Sequence, residues 1–383
     1  MEQARIDPGG ANRAADPLPR VRVAAADDPR SWPSDQAWDD LVRDASTPNP
    51  FFERWFLAPG LRHLGGTANV ALALVELEGA LVGLLPVARK RRYYSHPLPH
   101  LAAWLHDNAF CGTPLVRRGL EGLFWQALLH WADRHAGAAL FLHLPHLPAD
   151  GQVHGALVET LRRTRRPAAV VQRSERALLQ SGHGPEQYFT ESMSAKKRKE
   201  LRRQHNRLAE QGTLAFDRAE GADGLERWTD DYLALEAKGW KGGDGSALAQ
   251  HPANAALFRD ALGGAAQAQR LERLTLRLDG RPIAMLANFL TPPGAFSFKT
   301  TYDEDYARFS PGVLLQRENL DLLARPDIAW ADSCAAADHP MIERIWREKR
   351  NLVRISIAIG GVARRSLANR IFKAEARTIP QEF

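Results

Sequence analysis

The chain has 383 residues, of which 44% are hydrophobic and 25% charged, and its formal net charge is +6. This length favours two domains over one, and the apolar content is sufficient for a sizeable core. The first thirty residues contain no apolar run of the kind that a secretory signal needs, and no segment has the length and apolarity of a membrane helix. Cys111 and Cys334 are the only cysteines, too few for a disulfide framework, so we expect a cytoplasmic protein without a membrane span.

Residues 1–31 are rich in Ala, Arg, Asp and Pro, and we expect them to form a disordered arm. The first half, residues 32–180, then predicts two helices, a hairpin, a helix, a strand, a helix and a strand. The ranges are 35–45, 51–57, 70–77 with 81–88, 120–135, 139–144, 153–163 and 168–173. His143 and His146 lack further ligands in register, so no metal site is predicted.

A basic helix opens the second half, residues 181–383, after a junction at 180–191. It spans 195–211, with Ser194 as N-cap and Gly212 just past its C-terminus. Its basic residues are Lys196, Lys197, Arg198, Lys199, Arg202, Arg203 and Arg207, against the single acid Glu200, so residues 196–207 carry the whole net charge of the chain. A uniformly basic nucleic-acid-binding surface is therefore not expected. The helix either is solvated or contacts phosphates, including those of a nucleic acid, and a membrane-surface role is less favoured.

The rest of the second half repeats the order of the first. A strand at 213–218, helices at 225–238 and 254–262, a hairpin at 271–278 with 283–290, and a strand at 295–301 come first. A helix from 310, a strand at 328–333, a helix at 341–347, a strand at 352–359 and a helix at 362–376 complete it. Both hairpins turn on an acid-glycine pair, Glu78-Gly79 and Asp279-Gly280. The sequence therefore predicts a tandem repeat of one α/β domain, of the α+β type with a mixed sheet.

Only the second copy begins its helix with Ser310-Pro311-Gly312. A serine N-cap, a proline at the first helical position and a glycine that lets a ligand approach the backbone predict an anion site at this terminus. Arg308 adds a positive charge beside it. The first copy has Arg117-Arg118-Gly119 at the matching place and no cap, so we expect the chemistry in the second half.

Several motifs between about residues 185 and 360 resemble those of one family of acyltransferases. They are SAKKRKELRR from Ser194 with LAEQG from Leu208, KGWKG from Lys238, KTTYD from Lys299, SPGVLL from Ser310, DSC from Asp332 and HPMIERIW from His339. In combination they resemble the CelD-like, "acetyltransferase 6" branch of the GNAT superfamily, which is related to the Fem-type aminoacyl transferases. The resemblance implies two GNAT-like domains.

The same resemblance implies acetyl-CoA or another acyl-CoA as co-substrate, without a metal. The residues that would bind it are Arg308, Ser310, Gly312, Val313 and Leu314. This sequence departs from the usual GNAT phosphate loop, which has several glycines or alanines after an Arg or Gln, because only Gly312 follows Arg308.

In a GNAT fold the strands before and after the phosphate helix splay apart around the thioester, which would place 298–302 and 330–333 at the reacting carbon. Asp332 is the first candidate for the base, because burial beside Trp330 would favour its neutral form. His339 either partners Asp332 or caps a helix. Lys299, Tyr302 and, as a lesser candidate, Glu236 complete the catalytic set.

Trp240 and Lys241 lie where the acceptor would bind, and they suit an acidic or carbohydrate substrate. The predicted reaction is direct transfer of an acyl group to an amine or hydroxyl of a sugar, polysaccharide precursor or small metabolite. The alternatives are a Fem-like transferase that takes its donor from aminoacyl-tRNA held by residues 196–207, and a non-catalytic nucleic-acid-binding protein on the same scaffold. The acceptor, the acyl chain length, the choice between N- and O-transfer, and the oligomeric state are not determined by the sequence.

Overall fold

The computed structural model describes residues 19–66 and 69–382. Residues 1–18 of the expected arm lie outside this part of the chain. The expectation of disorder is wrong for Arg20–Ala25, which form an edge strand, β1. Its backbone pairs with a neighbouring strand from Arg20 opposite Glu76 to Ala25 opposite Ala71, and Ala24 is fully buried in the core. Within the described ranges, no helix is long and apolar enough to cross a membrane.

The first half folds in the predicted order, with two strands besides β1, namely β4 and β5, that the sequence did not indicate. After β1 come α1 (Asp35–Arg43), α2 (Arg54–Leu64), β2 (Val70–Leu77), β3 (Ala80–Lys90), β4 (His100–Ala103), β5 (Leu115–Val116), α3 (Glu121–His135), β6 (Phe141–Pro148), α4 (Gln152–Thr164) and β7 (Ala168–Leu179). The unpredicted strand β4 lies in a stretch rich in His, Pro and Trp, where no period marks a strand.

The second half repeats this order. Its elements are α5 (Pro185–Ser192), α6 (Ala195–Ala209), β8 (Leu214–Glu220), α7 (Leu225–Lys238), α8 (Trp240–Gly243), α9 (Pro252–Gln267), β9 (Leu271–Leu278), β10 (Arg281–Thr291), β11 (Gly294–Tyr302), α10 (Pro311–Glu318), β12 (Trp330–Asp332), β13 (Glu348–Ala358) and α11 (Val362–Glu375). The helix predicted at 341–347 is wrong, because this segment consists of turns between β12 and β13.

The two halves share one mixed sheet and exchange their last strands. Thirteen strands of the described residues form it, in the order β1-β2-β3-β4-β6-β13-β7-β12-β11-β10-β9-β8, with β5 paired to β3. Strand β13 of the second half thus lies beside β6 of the first, and β7 of the first lies beside β12 of the second. The predicted tandem repeat is confirmed by this symmetric order.

Aromatic side chains also join the halves. The ring of Phe51, just before α2, lies 6.5 Å from that of Phe289, 5.7 Å from that of Phe296 and 6.1 Å from that of Phe298. Helix α2 packs against α9, where a Cβ on Gly264 would lie 2.8 Å from the Cβ of Trp55. The floor beneath β10 and β11 is therefore built by both halves.

Candidate functional site

Strands β11 and β12 separate to leave an open cleft in the second half. They pair in parallel over only three positions, Gly294 opposite Trp330, Ala295 opposite Ala331 and Phe296 opposite Asp332. β11 continues to Tyr302 along β10, so its other edge carries unpaired backbone groups from Ser297 onward. The resulting cleft has a volume of about 240 Å³. Such an edge can pair with an extended ligand chain laid between the strands.

A β-bulge at Phe298 shapes the wall of this cleft. Ala287 lies opposite Lys299 and Asn288 lies opposite Ser297, which leaves Phe298 as the extra residue of β11. A bulge re-aims the side chains beside it. Here the ring of Phe298 stacks on that of Phe289 with centroids 4.5 Å apart, while Lys299 lines the cleft.

Lys299 carries a perturbed charge in the cleft. Its ammonium nitrogen lies 5.5 Å from the ring centroid of Phe110 and 5.7 Å from that of Phe298, and it has no ion pair among the described residues. Burial lowers the pKa of Lys299 to about 8, and the Lys241 ammonium adds to the shift, against an opposing effect of Glu236. A substantial fraction of Lys299 is therefore a neutral amine at mildly alkaline pH.

Glu236, Trp240 and Lys241 lie together at one side of the cleft, as the sequence predicted. The buried Glu236 carboxylate accepts a hydrogen bond from the Lys241 ammonium at 2.7 Å and one from the Leu248 N–H at 2.9 Å. Trp240 is 57% exposed, and its backbone N–H donates to the Glu304 carboxylate at 2.8 Å. Glu236 is thus occupied in holding Lys241, and the Trp240 indole presents a free aromatic surface at the rim.

Asp332 is in a different situation from the one predicted. It is fully buried, and its carboxylate accepts hydrogen bonds from Arg176 Nη2 at 2.7 Å and from Arg350 Nη1 at 3.1 Å, while Arg176 Nε lies 2.6 Å from Oδ1. Burial alone would raise the pKa of Asp332, but the two guanidiniums and the Cys334 N–H hold it below its ordinary value. The expectation that the neutral form is favoured is therefore wrong, because the sequence does not reveal the two arginines that the shared strands bring to it.

Asp332 instead supports the cleft wall. Its Oδ1 accepts the Cys334 N–H at 2.9 Å, and Cys334 has a φ of 53°, in the left-handed region. Residues other than glycine rarely adopt this backbone conformation. The hydrogen bond therefore stabilises the turn that places Ser333 and Cys334 along the cleft.

His339 lines the cleft but is not brought to Asp332. No hydrogen bond joins these two side chains in the described part of the chain, and the buried Nδ1 of His339 has no partner there. Burial, with a further contribution from the Lys241 ammonium, lowers the pKa of His339. The imidazole therefore faces the cleft in its neutral form.

The start of α10 differs from the predicted anion site. Ser310 has a φ of 54° and no side-chain cap bond, and its carbonyl accepts the N–H groups of Val313 at 2.9 Å and Leu314 at 3.0 Å. Ser310 is the N-cap residue as predicted, but the expected side-chain cap bond is absent at this left-handed backbone position. Arg308 is exposed, with its guanidinium 4.7 Å from the ring of Phe309.

Met341 covers the same helix end. A Cβ on Gly312 would lie 2.3 Å from the Met341 sulfur and 3.2 Å from the ring of Tyr302. Tyr302 therefore packs at the junction of cleft and helix. Met341, from the segment between β12 and β13, thus fills the space beside Gly312.

Sequence reasoning missed several residues of the cleft. Phe110, Ser297, Gln316 and Met341 line it, and Phe110 comes from the first half. The Gln316 amide donates to the Thr300 hydroxyl at 3.4 Å. Gln316 follows the Ser-Pro-Gly helix start by one helical turn, and this spacing could have indicated that it lines the cleft. No sequence pattern could have indicated Phe110, because its position in the cleft depends on how the two halves pack.

The equivalent opening in the first half is closed. β4 and β6 also pair in parallel, at Leu101 opposite Leu142 and Ala102 opposite His143. Beyond them, the Gly112 N–H donates to the His146 carbonyl at 3.0 Å, and a Cβ on Gly112 would lie 1.9 Å from the Pro145 oxygen. Glycine is required where two backbones approach so closely. The chain itself thus fills the first cleft.

Helix α6 forms as predicted and carries an exposed basic surface. The Ser194 hydroxyl accepts the Lys197 N–H, and Leu201 and Leu208 are the buried residues. The exposed cations, here called the α6 basic surface, are Lys196, Lys197, Lys199, Arg202, Arg203 and Arg207. The Gln204 amide donates to the Arg308 carbonyl at 3.4 Å, so the helix packs against the segment 304–309 that leads into α10.

Comparison with known proteins agrees with this architecture. Residues 195–339 match the family model described as "Acetyltransferase (GNAT) domain". FemX has a TM-score of 0.57 at 10% identity, covering 90% of this chain and 98% of FemX. The C-terminal domain (DUF2156) of a putative lysylphosphatidylglycerol synthetase from Agrobacterium fabrum has a TM-score of 0.53 at 14% identity, covering 88% of this chain and 96% of the other. No curated protein sequence matches the chain.

Residues 195–339 are thus identified as a GNAT acetyltransferase domain, and both strands of the open cleft lie within this matched segment. The similarity to FemX and to the synthetase domain, at such low identity, shows a shared fold.

Proposed function

We propose that the chain transfers an acyl group, acetyl in the simplest case, directly from acyl-CoA to an amine or hydroxyl of a sugar, polysaccharide precursor or small metabolite. The single observation that carries this proposal is the open edge of β11 beside Lys299, whose lowered pKa favours the neutral amine. Loss of pairing beyond Phe296 leaves backbone groups that can bind the amides of an extended donor arm. The thioester then lies between Phe298 and Ser333.

Lys299 is the proposed base. Transfer requires a group that takes the proton of the attacking amine or hydroxyl, and an effective base has a pKa near the working pH. Lys299 meets this condition with a pKa of about 8. A backbone N–H of the open β11 edge is the proposed donor to the oxyanion.

The acceptor is proposed to bind between Trp240 and Lys241. An exposed indole offers a flat apolar surface on which a sugar ring can stack, and the Lys241 ammonium, held at 2.7 Å by Glu236, supplies a positioned donor. His339 and Tyr302 line the same cleft and complete the acceptor side.

A thermal-shift series with acetyl-CoA, CoA and deacylated tRNA tests the donor. One site saturated at 100-fold over its Kd stabilises the folded protein by about 2.7 kcal/mol. We expect both CoA species to raise the melting temperature. Absence of a shift with either would contradict the acyl-CoA donor.

A second candidate function, Fem-like transfer from aminoacyl-tRNA, is favoured by one observation. Helix α6, which carries the α6 basic surface, packs through Gln204 against the segment 304–309 at the entry to α10, where a large polyanionic donor would extend from the cleft. In the same series, a shift with tRNA that moderate salt abolishes, together with no shift by CoA, would select this donor.

A further inference from the structure

A second groove lies at the seam between the halves, apart from the cleft. It has a volume of about 720 Å³ and is bounded by α1, α2, α9 and the residues before β9. We name it the seam groove. Its arginines are Arg43, Arg54, Arg62, Arg259 and Arg270, and its acids are Asp39, Glu53 and Asp260. The size is within the usual range of small-ligand pockets.

Arginines of the seam groove come from four separate elements. Arg62 pairs with Asp260 at 3.2 Å, and Arg259 pairs with Asp230, outside the groove, at 2.6 Å. These side chains are 64% and 45% exposed, so such pairs contribute little and can exchange partners. Guanidinium forks bind carboxylate and phosphate oxygens in bidentate geometry. A ligand with several such oxygens can therefore bridge both halves.

The floor of the seam groove holds a poorly compensated carboxyl group. Glu53 is 4% exposed and accepts the Trp55 indole N–H at 2.7 Å, while the Arg270 Nε is 3.9 Å away. Arg270 therefore lacks a close carboxylate partner. The Arg54 Nε is also buried without a hydrogen-bond partner among the described residues.

We propose that the seam groove binds a small polyvalent anion bearing phosphate or carboxylate groups, held by Arg270, Arg259 and Arg62. The anion occupies the position beside Arg270 that the distant Glu53 carboxyl leaves unfilled. This site is independent of the acyl-transfer cleft, and its occupation does not depend on the proposed reaction.

Binding is expected to depend on pH through Glu53. Burial raises the pKa of Glu53 to about 7, against the opposing effect of Arg270. The charged groups facing it are Asp39 and Arg43 from α1, Arg54 and Arg62 from α2, Arg259 and Asp260 from α9, and Arg270. Glu53 is protonated at lower pH, which removes a competing negative charge. The Glu53 charge therefore opposes anion binding above pH 7 and ceases to do so below it.

Titration calorimetry of the full chain with inorganic pyrophosphate and with citrate tests the proposal at low salt. Each of Arg259→Ala and Arg270→Ala should weaken binding about tenfold. Arg203→Ala, on the α6 basic surface, removes the same charge and should leave binding unchanged. Pyrophosphate binding without citrate binding would assign a phosphate ligand, and the reverse a carboxylate ligand.

Two further results decide the assignment. The ratio of the wild-type affinity to that of Glu53→Gln should fall about tenfold from about pH 6 to about pH 8, because both proteins share the titration of the anion itself. Because Arg270→Ala also removes a contact with the Leu290 carbonyl, Arg259→Ala separates lost binding from lost folding. The proposal is overturned if neither anion binds, or if Arg203→Ala weakens binding as much as Arg259→Ala does.

Discussion

Arg176 of the first half and Asp332 of the second form a bidentate ion pair in the middle of the shared sheet. The Arg176 Nε lies 2.6 Å from the Asp332 Oδ1, and its Nη2 lies 2.7 Å from Oδ2. Both side chains are almost completely buried. The exchanged strand β7 therefore delivers a charge that the cleft wall of the other half needs, and the two halves depend on each other.

Asp332→Asn is expected to destabilise the chain by about 3 to 5 kcal/mol, because it leaves two buried guanidiniums without their anion. Urea unfolding would measure this, with exposed Asp338→Asn as control. The folded-state pKa of Asp332 is lowered, so its stabilisation is present above the unfolded pKa and is lost as pH falls through the folded value. A variant of normal stability that lacks activity would instead make Asp332 the base.

Lys299→Met is expected to abolish transfer while it stabilises the fold. The lysine must be neutral to act, so kcat/KM of the wild type should rise tenfold per pH unit below about 8 and level off above it. Desolvation makes the unfolded state bind more protons between about pH 8 and 10.5, so stability rises with pH there. At neutral pH, Lys299→Met should raise the free energy of unfolding by on the order of 2 kcal/mol, because no charge is buried. An unchanged pH profile in Lys299→Met would exclude this lysine as the base.

Met341→Ala is expected to tighten acetyl-CoA binding, because it opens the Gly312 N–H to phosphate. The binding free energy should become more favourable by on the order of 1 kcal/mol, the size of an interaction between an anion and a helix N-terminus. Gly312→Ala alone should weaken binding, since its methyl meets the Met341 sulfur at 2.3 Å. Calorimetry on the double variant should recover the affinity. If Met341→Ala has no effect, the phosphates lie away from this helix end.

The α6 basic surface is expected to control any binding of tRNA. Replacing Lys196, Lys199 and Arg202 by alanine should reduce the slope of log K against log salt by about 2 to 3. Removal of three exposed cations from the C-terminal segment, Arg370, Lys373 and Arg377, is the matched control. Filter binding at several salt concentrations would measure both. Equal slopes for the two variants would mean that α6 has no special part.

Much of the fold followed from local patterns. The ranges predicted for α7 and β9 agree with the structure at both ends. The acid-glycine turns at Gly79 and Gly280 have the positive φ that such hairpins need. The exchange of β7 and β13 could not be predicted, because strand order depends on long-range packing. The turns at 341–347 had a helical apolar period, but those residues instead cover α10.

The site was predicted in part. Lys299, Trp240, Lys241 and Glu236 come together as expected, since they lie beside recognisable elements. The buried state of Asp332 depended on Arg176, which is 156 positions away in the chain. The left-handed backbone of Ser310 could not be predicted either. It follows from the short 3-10 helix, Glu304–Phe309, that ends at Ser310 before α10 begins.

Hydrogen exchange of the full chain with and without saturating acetyl-CoA tests whether the acyl donor binds between β11 and β12. We expect slower exchange of the N–H groups from Phe298 to Tyr302 and of residues 333–336, the two walls of the open cleft. We expect no change at residues 101–103 and 142–146, where the equivalent cleft is filled by the chain. Protection confined to α6 or to the first half, with β11 unchanged, would contradict an acyl donor bound between β11 and β12.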